Sequence, residues 1–134
     1  MNNSKIESIV ERVSEWSKEQ LYLGYNKHDG LNSPVLNVLL GWSKWSRIIA
    51  IQIIMRAPIN LRPFFLIRKT YNPKGLALYV QGYLDRYKAT NDNAYLIEAR
   101  SLLDKLVKYR TQGVWKGNAW GYLYPWQDPG FFSP

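Results

Sequence analysis

Apolar positions at Ile6, Ile9, Val10, Val13, Trp16 and Leu21 recur near helical spacing and predict an amphipathic helix over about residues 5–21. Ser4 and Glu7 stand three residues apart just ahead of that run, the spacing of a capping box. The next stretch, YLGYNKHDGLNSP (22–34), breaks the rhythm with two Gly, two Asn, Asp and Pro, and reads as a long loop. Trp45, Ile48, Ile49, Ile51, Ile53 and Ile54 then predict a second helix over about 43–56, although so β-branched a segment also suits a buried strand. Pro58 ends it, because a residue before proline avoids helical geometry.

APINLRPFFLIRKTYNP (57–73) carries three prolines and no helical stripe, so it reads as an extended connection. Pro73 suits the first turn of a third helix whose face is Leu76, Tyr79, Val80, Tyr83, Leu84 and Tyr87. Thr90 to Asn93 is a turn that can cap a fourth helix, apolar at Tyr95, Leu96, Ala99, Leu102, Leu103, Leu106 and Val107 and closed by Gly113. The third and fourth helices should form an antiparallel hairpin, and the first two a looser one. No segment alternates as a strand does. The expected class is all-α: helical hairpins, about four helices, long aromatic loops, one domain over residues 1–134.

Composition narrows the chemistry. The chain has no cysteine, which excludes disulfides, thiolate metal sites and a Cys nucleophile. The absence suits a reducing compartment, and the polar N-terminus has no secretory core, so a cytoplasmic location is expected. The longest largely apolar run, Ile48 to Met55 with Gln52 inside it, falls far short of the roughly 20 residues needed to span a bilayer. One His and no clustered acids leave the usual metal patterns missing, and no glycine-rich phosphate cradle or serine-nucleophile elbow occurs. No cofactor is expected.

Charge is uneven. Residues 1–29 sum to −1 and residues 85–134 to +2, while residues 30–84 carry seven basic side chains and no acid. Such a stretch favours an anionic partner, or else is a solvated face that aids solubility.

The final segment, WKGNAWGYLYPWQDPGFF (115–132), holds seven aromatic residues among glycines and prolines. Together with loop 22–34 it can line one rim of a stack of helical hairpins. Rings beside Asp and Asn are what a sugar site needs, since pyranose C–H faces stack on rings and hydroxyls take polar partners. Alternatively the rings plug one end of a small core. Tyr79, Tyr83 and Tyr87, at four-residue steps, read as a core stripe rather than a base-stacking surface.

Four motifs in order, GYNKHDGLNSP, RAPINLRP, YNPKGLALYVQGYL and AWGYLYPWQ, resemble the N-terminal part of a bacterial family found in polysaccharide-biosynthesis settings. The resemblance spans roughly residues 20–128. It implies an (α/α)6 toroid of the six-hairpin glycosidase type, of which about four helices would be only the first third. Many members carry the label delta-aminolevulinic acid dehydratase, which fits poorly, because that enzyme is a β/α barrel and nothing here alternates strand with helix. By analogy of fold the resemblance implies action on, or binding of, an acidic surface glycan.

On that footing Asp29 is the leading acid/base or sugar-hydroxyl ligand, with His28 orienting it. Asn32, Trp120, Tyr122, Trp126 and Gln127 would line the groove. The family places an Asp at the position of Pro125, so one carboxylate is missing, and glycosidases use two such groups about 5 to 9.5 Å apart. The alternative is a non-catalytic binding or assembly module that meets anionic glycan or membrane lipid through its basic 44–74 stretch. Self-association through exposed apolar helix faces is expected of an incomplete toroid. Nucleic acid is disfavoured, since no recognised motif accompanies the charge.

Overall fold

The structure is a computed structural model that describes residues 3–111, 113 and 117–134. Among them run five α-helices, α1 (Asn3–Glu19), α2 (Pro34–Leu40), α3 (Lys44–Arg56), α4 (Pro73–Thr90) and α5 (Asn93–Lys108). A 3-10 turn at Asp29–Asn32 precedes α2, and a short antiparallel hairpin of β1 (Trp126–Gln127) and β2 (Phe132–Ser133) follows α5. The molecule is mostly helical, with one helix more than the spacing of apolar residues predicts.

That extra helix, α2, is seven residues long and offers no periodic stripe. Its signal is the pair Ser33-Pro34, an N-cap hydroxyl followed by a residue with φ already set for helix. Ser33 Oγ accepts from Leu36 N at 3.0 Å and donates to the Phe65 carbonyl at 2.6 Å, so one buried side chain starts the helix and fixes it to a distant loop. Ser43 and Ser46 cap α3 reciprocally, and the helix stops at Arg56, just ahead of Pro58. Leu31, Leu36, Ala50, Ile51, Ile54 and Ile67 form a first core, with Leu61, Phe65 and Trp126 packed against it.

The second core lies within the α4–α5 hairpin and consists of Leu76, Val80, Tyr83, Ala99, Leu102 and Leu106. Asn72 caps α4 and Asp92 caps α5, while Asn91 ends α4 in the left-handed conformation at φ 58°. Tyr83 is buried and Tyr79 packs alongside, so these two of the three tyrosines belong to the core, while Tyr87 is part-buried and outside that cluster. Helix α5 stops at Lys108 rather than running to Gly113. Beyond it the chain turns into a bridge in which Thr111 N donates to Ala119 O at 2.8 Å.

Helix α1 departs most from expectation. Its apolar row, Ile6, Ile9, Val10, Val13 and Trp16, stays exposed, and Ile9, Val10 and Val13 line an open groove facing Leu78, Gly82 and Tyr83 of α4 instead of a closed core. The helix already includes Asn3 and Ser4, so Ser4 lies inside the first turn and does not cap it. Only the C-terminal end is anchored. There Ser17 and Tyr79 share a hydrogen bond between hydroxyls, and Lys18 pairs with Glu98 at 3.1 Å. Leu21 and Tyr22 then both take positive φ, 54° and 60°, an unfavourable pair for side-chain-bearing residues. The Tyr22 hydroxyl, 2.9 Å from that of Tyr83, holds the reversal in place. No hairpin forms between α1 and α3, because α3 packs instead on α2 and the 3-10 turn.

Gly30 brings the backbone of the 3-10 turn close against α3. A Cβ there would sit 2.9 Å from Ile51 Cα and 3.0 Å from Ala50 O, both backbone atoms of α3. Gly30→Ala should therefore cost about 1–3 kcal/mol by overpacking. Gly82 lies inside α4 with nothing within 4 Å of an added Cβ. Gly82→Ala should instead stabilise by about 0.4–1 kcal/mol. Urea unfolding midpoints moving in opposite directions check this contrast.

Candidate functional site

Loop 22–33 and segment 57–72 cross between the two cores with little regular structure, and polar side chains bind them together. Asp29 is 1% exposed. Arg62 Nε reaches Asp29 Oδ1 at 3.0 Å and Oδ2 at 3.2 Å, and Asn26 N donates to Oδ2 at 2.9 Å. The same guanidinium donates through Nη2 to Asn26 O at 3.0 Å. Asn26 continues the network, its Nδ2 donating to Thr70 Oγ1 at 2.9 Å and its Oδ1 accepting from Asn72 Nδ2 at 3.1 Å. A backbone bridge between Gly24 and Thr70 closes the crossing.

Asp29 is thus a buried carboxylate with both oxygens committed to Arg62 and Asn26, and neither faces a groove. His28 is partly buried at the start of the 3-10 turn and makes no side-chain cap bond. The groups that orient Asp29 are Arg62 and the Asn26 amide, not His28. Asn32 donates through Nδ2 to Arg68 O at 3.0 Å, a further tie between the two crossing segments.

The aromatic segment divides into two. Trp126 leans on the first core, and Gln127 is buried, accepting from Arg47 Nε at 2.9 Å and donating to the carbonyls of Asp128 at 2.7 Å and Phe131 at 2.9 Å. These two residues fasten the β-hairpin to α3. Asp128 is occupied in the hairpin turn, its Oδ1 accepting from Gly130 N and Phe131 N.

Trp120 and Tyr122 remain 43% and 57% exposed. Trp120 is oriented by its Nε1 bond to Leu106 O at 2.7 Å, and Tyr122 stacks on Tyr124 with centroids 5.1 Å apart. Both line an open cleft of about 590 Å³ whose other walls include Asn72, Lys74, Ala77 and Leu106. Lys74 is exposed and joins none of the ion pairs among the described residues.

Of the residues expected at a sugar site, the structure brings Trp120 and Tyr122 together in this cleft. Trp126 and Gln127 support the hairpin, and Asp29, His28 and Asn32 belong to the crossing. Asn72 and Lys74 were missed as site residues. The segment NPK signals only a capped helix start, and nothing local tells that Trp120 returns beside it. Trp115 lies outside the described residues.

The described residues hold no group of three or more His, Asp or Glu able to bind a metal ion. None of their helices is long and apolar enough to cross a membrane. No family profile, curated protein or solved structure matches the chain.

The same burial shifts two phenols. Tyr124 is pushed up to about 12 from the ordinary 10, first by burial and then by the neighbouring Tyr122 and the negative charge of Asp29. Tyr22 is raised further, again first by burial and then by Tyr83 and Glu98. A raised phenol stabilises the fold fully below pH 10, and that contribution is lost as pH climbs through the folded value. Stability should fall between pH 10 and about 12. Tyr124→Phe should flatten part of the decline, read as denaturant midpoint against pH beside the ultraviolet titration of tyrosinate.

Proposed function

We propose that the chain is a glycan-binding module whose site is the cleft of Trp120, Tyr122, Asn72 and Lys74. The observation that carries this reading is the shared wall. Two half-exposed rings, one pinned through Nε1 and the other stacked, stand beside an exposed lysine outside the described ion pairs. Rings held in this way offer flat apolar faces at little entropic cost. The ammonium of Lys74 adds preference for an acidic sugar such as a uronate, and the remaining Asn72 Nδ2 proton can meet a hydroxyl.

Binding is favoured over turnover. The carboxylate best suited by sequence to acid/base work, Asp29, is enclosed by Arg62 and Asn26, and Asp128 is taken up by its own turn. Hydrolysis by the usual route needs two free carboxyl groups flanking the scissile bond.

The likeness to the N-terminal part of the toroid family rests on the four motifs, and it supports the same reading. GYNKHDGLNSP supplies Asn26 and Asp29, RAPINLRP supplies Arg62, YNPKGLALYVQGYL supplies Asn72 and Lys74, and AWGYLYPWQ supplies Trp120 and Tyr122. All four therefore border either the polar crossing or the cleft. In this reading the α4–α5 hairpin is one hairpin unit of an (α/α)6-type ring acting on a bacterial surface polysaccharide.

Retention on immobilised polygalacturonate, compared with neutral dextran, tests the proposal. Trp120→Ala and Tyr122→Ala should each weaken retention about three- to tenfold, the worth of one stacking contact. The melting temperature should hardly move. Lys74→Gln should remove the salt-sensitive part of binding and leave the rest. Trp126→Ala should lower stability instead, since that ring packs on the first core. Wild-type protein that passes through both columns unretained would overturn the reading.

A further inference from the structure

Helix α3 is apolar on opposite sides. Ser46, Ala50, Ile51 and Ile54 turn inward, while Trp45, Ile49 and Ile53 form an exposed row at four-residue steps on the other side. An exposed row of large apolar side chains on a helix marks a surface that protein or lipid covers. Three residues before Trp45, in the turn that joins α2 to α3, comes Trp42, its Nε1 held by the Leu39 carbonyl at 3.1 Å. Trp42 is 78% exposed and Trp45 63%, values unusual for so large an apolar ring. Basic residues bracket the row, Lys44 with its ammonium 5.0 Å from the Trp45 ring centre and Arg56 at the far end of the helix. The whole stretch from residue 30 to 84 contains no acid.

We propose that this α2–α3 face docks on the surface of an anionic lipid bilayer. Tryptophan favours the boundary between headgroups and acyl chains, isoleucine the layer just below, and Lys44 and Arg56 the anionic headgroups. At 13 residues α3 is too short to cross a bilayer, so it lies in the plane of the interface. The rival occupant is a second copy of the chain. A twofold contact through this face would set its cations against their own copies with no acid within the stretch to offset them. An anionic bilayer supplies the missing sign. The surface is separate from the Trp120 cleft and does not depend on the glycan reading.

Co-sedimentation with vesicles of phosphatidylcholine alone, and of phosphatidylcholine mixed with phosphatidylglycerol, tests it. Wild-type protein should pellet with the mixed vesicles, much less with the neutral ones, and should be partly released by salt. Lys44→Gln and Arg56→Gln should each weaken binding about fivefold, as expected for one cation near a charged surface. Trp42→Ala with Trp45→Ala should abolish it, with the helical circular-dichroism signal retained. Trp120→Ala should bind vesicles like the wild type, which keeps this test apart from the glycan one. Equal binding to both lipids, or binding to neither, would overturn the proposal. So would a dimer in sedimentation velocity that the two tryptophan substitutions dissociate in protein that ignores vesicles.

Discussion

The buried pair of Asp29 and Arg62 holds together two segments of chain that no long helix supports. Asp29 sits in the 3-10 turn against α3, and Arg62 in the irregular segment that leads to α4. Removing a carboxylate from water is costly unless its oxygens find partners. Here one guanidinium N–H, that of Nε, is shared between the two oxygens, and a backbone amide donates to Oδ2. The guanidinium also satisfies the Asn26 carbonyl, so the charge pair serves the backbone of the loop it closes. Removing either partner would leave the other charge buried alone, a loss of about 3–5 kcal/mol in comparable cases.

That clasp stands between the first core and the start of α4, which borders the cleft. Gly30, next to Asp29, makes the close approach to α3 that seats the first core. Asn26 passes the network to Thr70 and Asn72, and Asn72 in turn caps α4 and borders the cleft. Tyr124 lies near enough to feel the charge of Asp29, and it is the ring on which Tyr122 stacks. The cleft is thus linked through Asn26 and Asn72 to a buried charge behind it.

Much of the helical content was legible because apolar spacing, caps and prolines are local signals. Pro58 and Pro73 marked a helix end and a helix start, and Thr90 to Asn93 marked the hairpin turn. Helix α2, at seven residues, and the two-residue strands are too short for a repeating apolar pattern to reveal them. The exposure of α1 was illegible for a different reason. An amphipathic stripe tells which face a partner would cover, not whether the partner is present. Asp29 misled in the same way. Loop chemistry around GYNKHDG suggests an accessible acid, and no local signal places Arg62, 33 residues onward, against it. Trp120 and Tyr122 lie at a surface, while Trp126 and Gln127, a few residues on, turn to the core.

The central claim is that Asp29 belongs to the fold and not to chemistry. A double-mutant cycle of Asp29→Asn and Arg62→Gln, followed by denaturant unfolding, tests it most directly. Strong coupling is predicted, with each single change costing several kcal/mol and the double change costing little more than either alone. Unfolding curves unmoved by Asp29→Asn, together with a selective loss of glycan recognition or turnover, would contradict it.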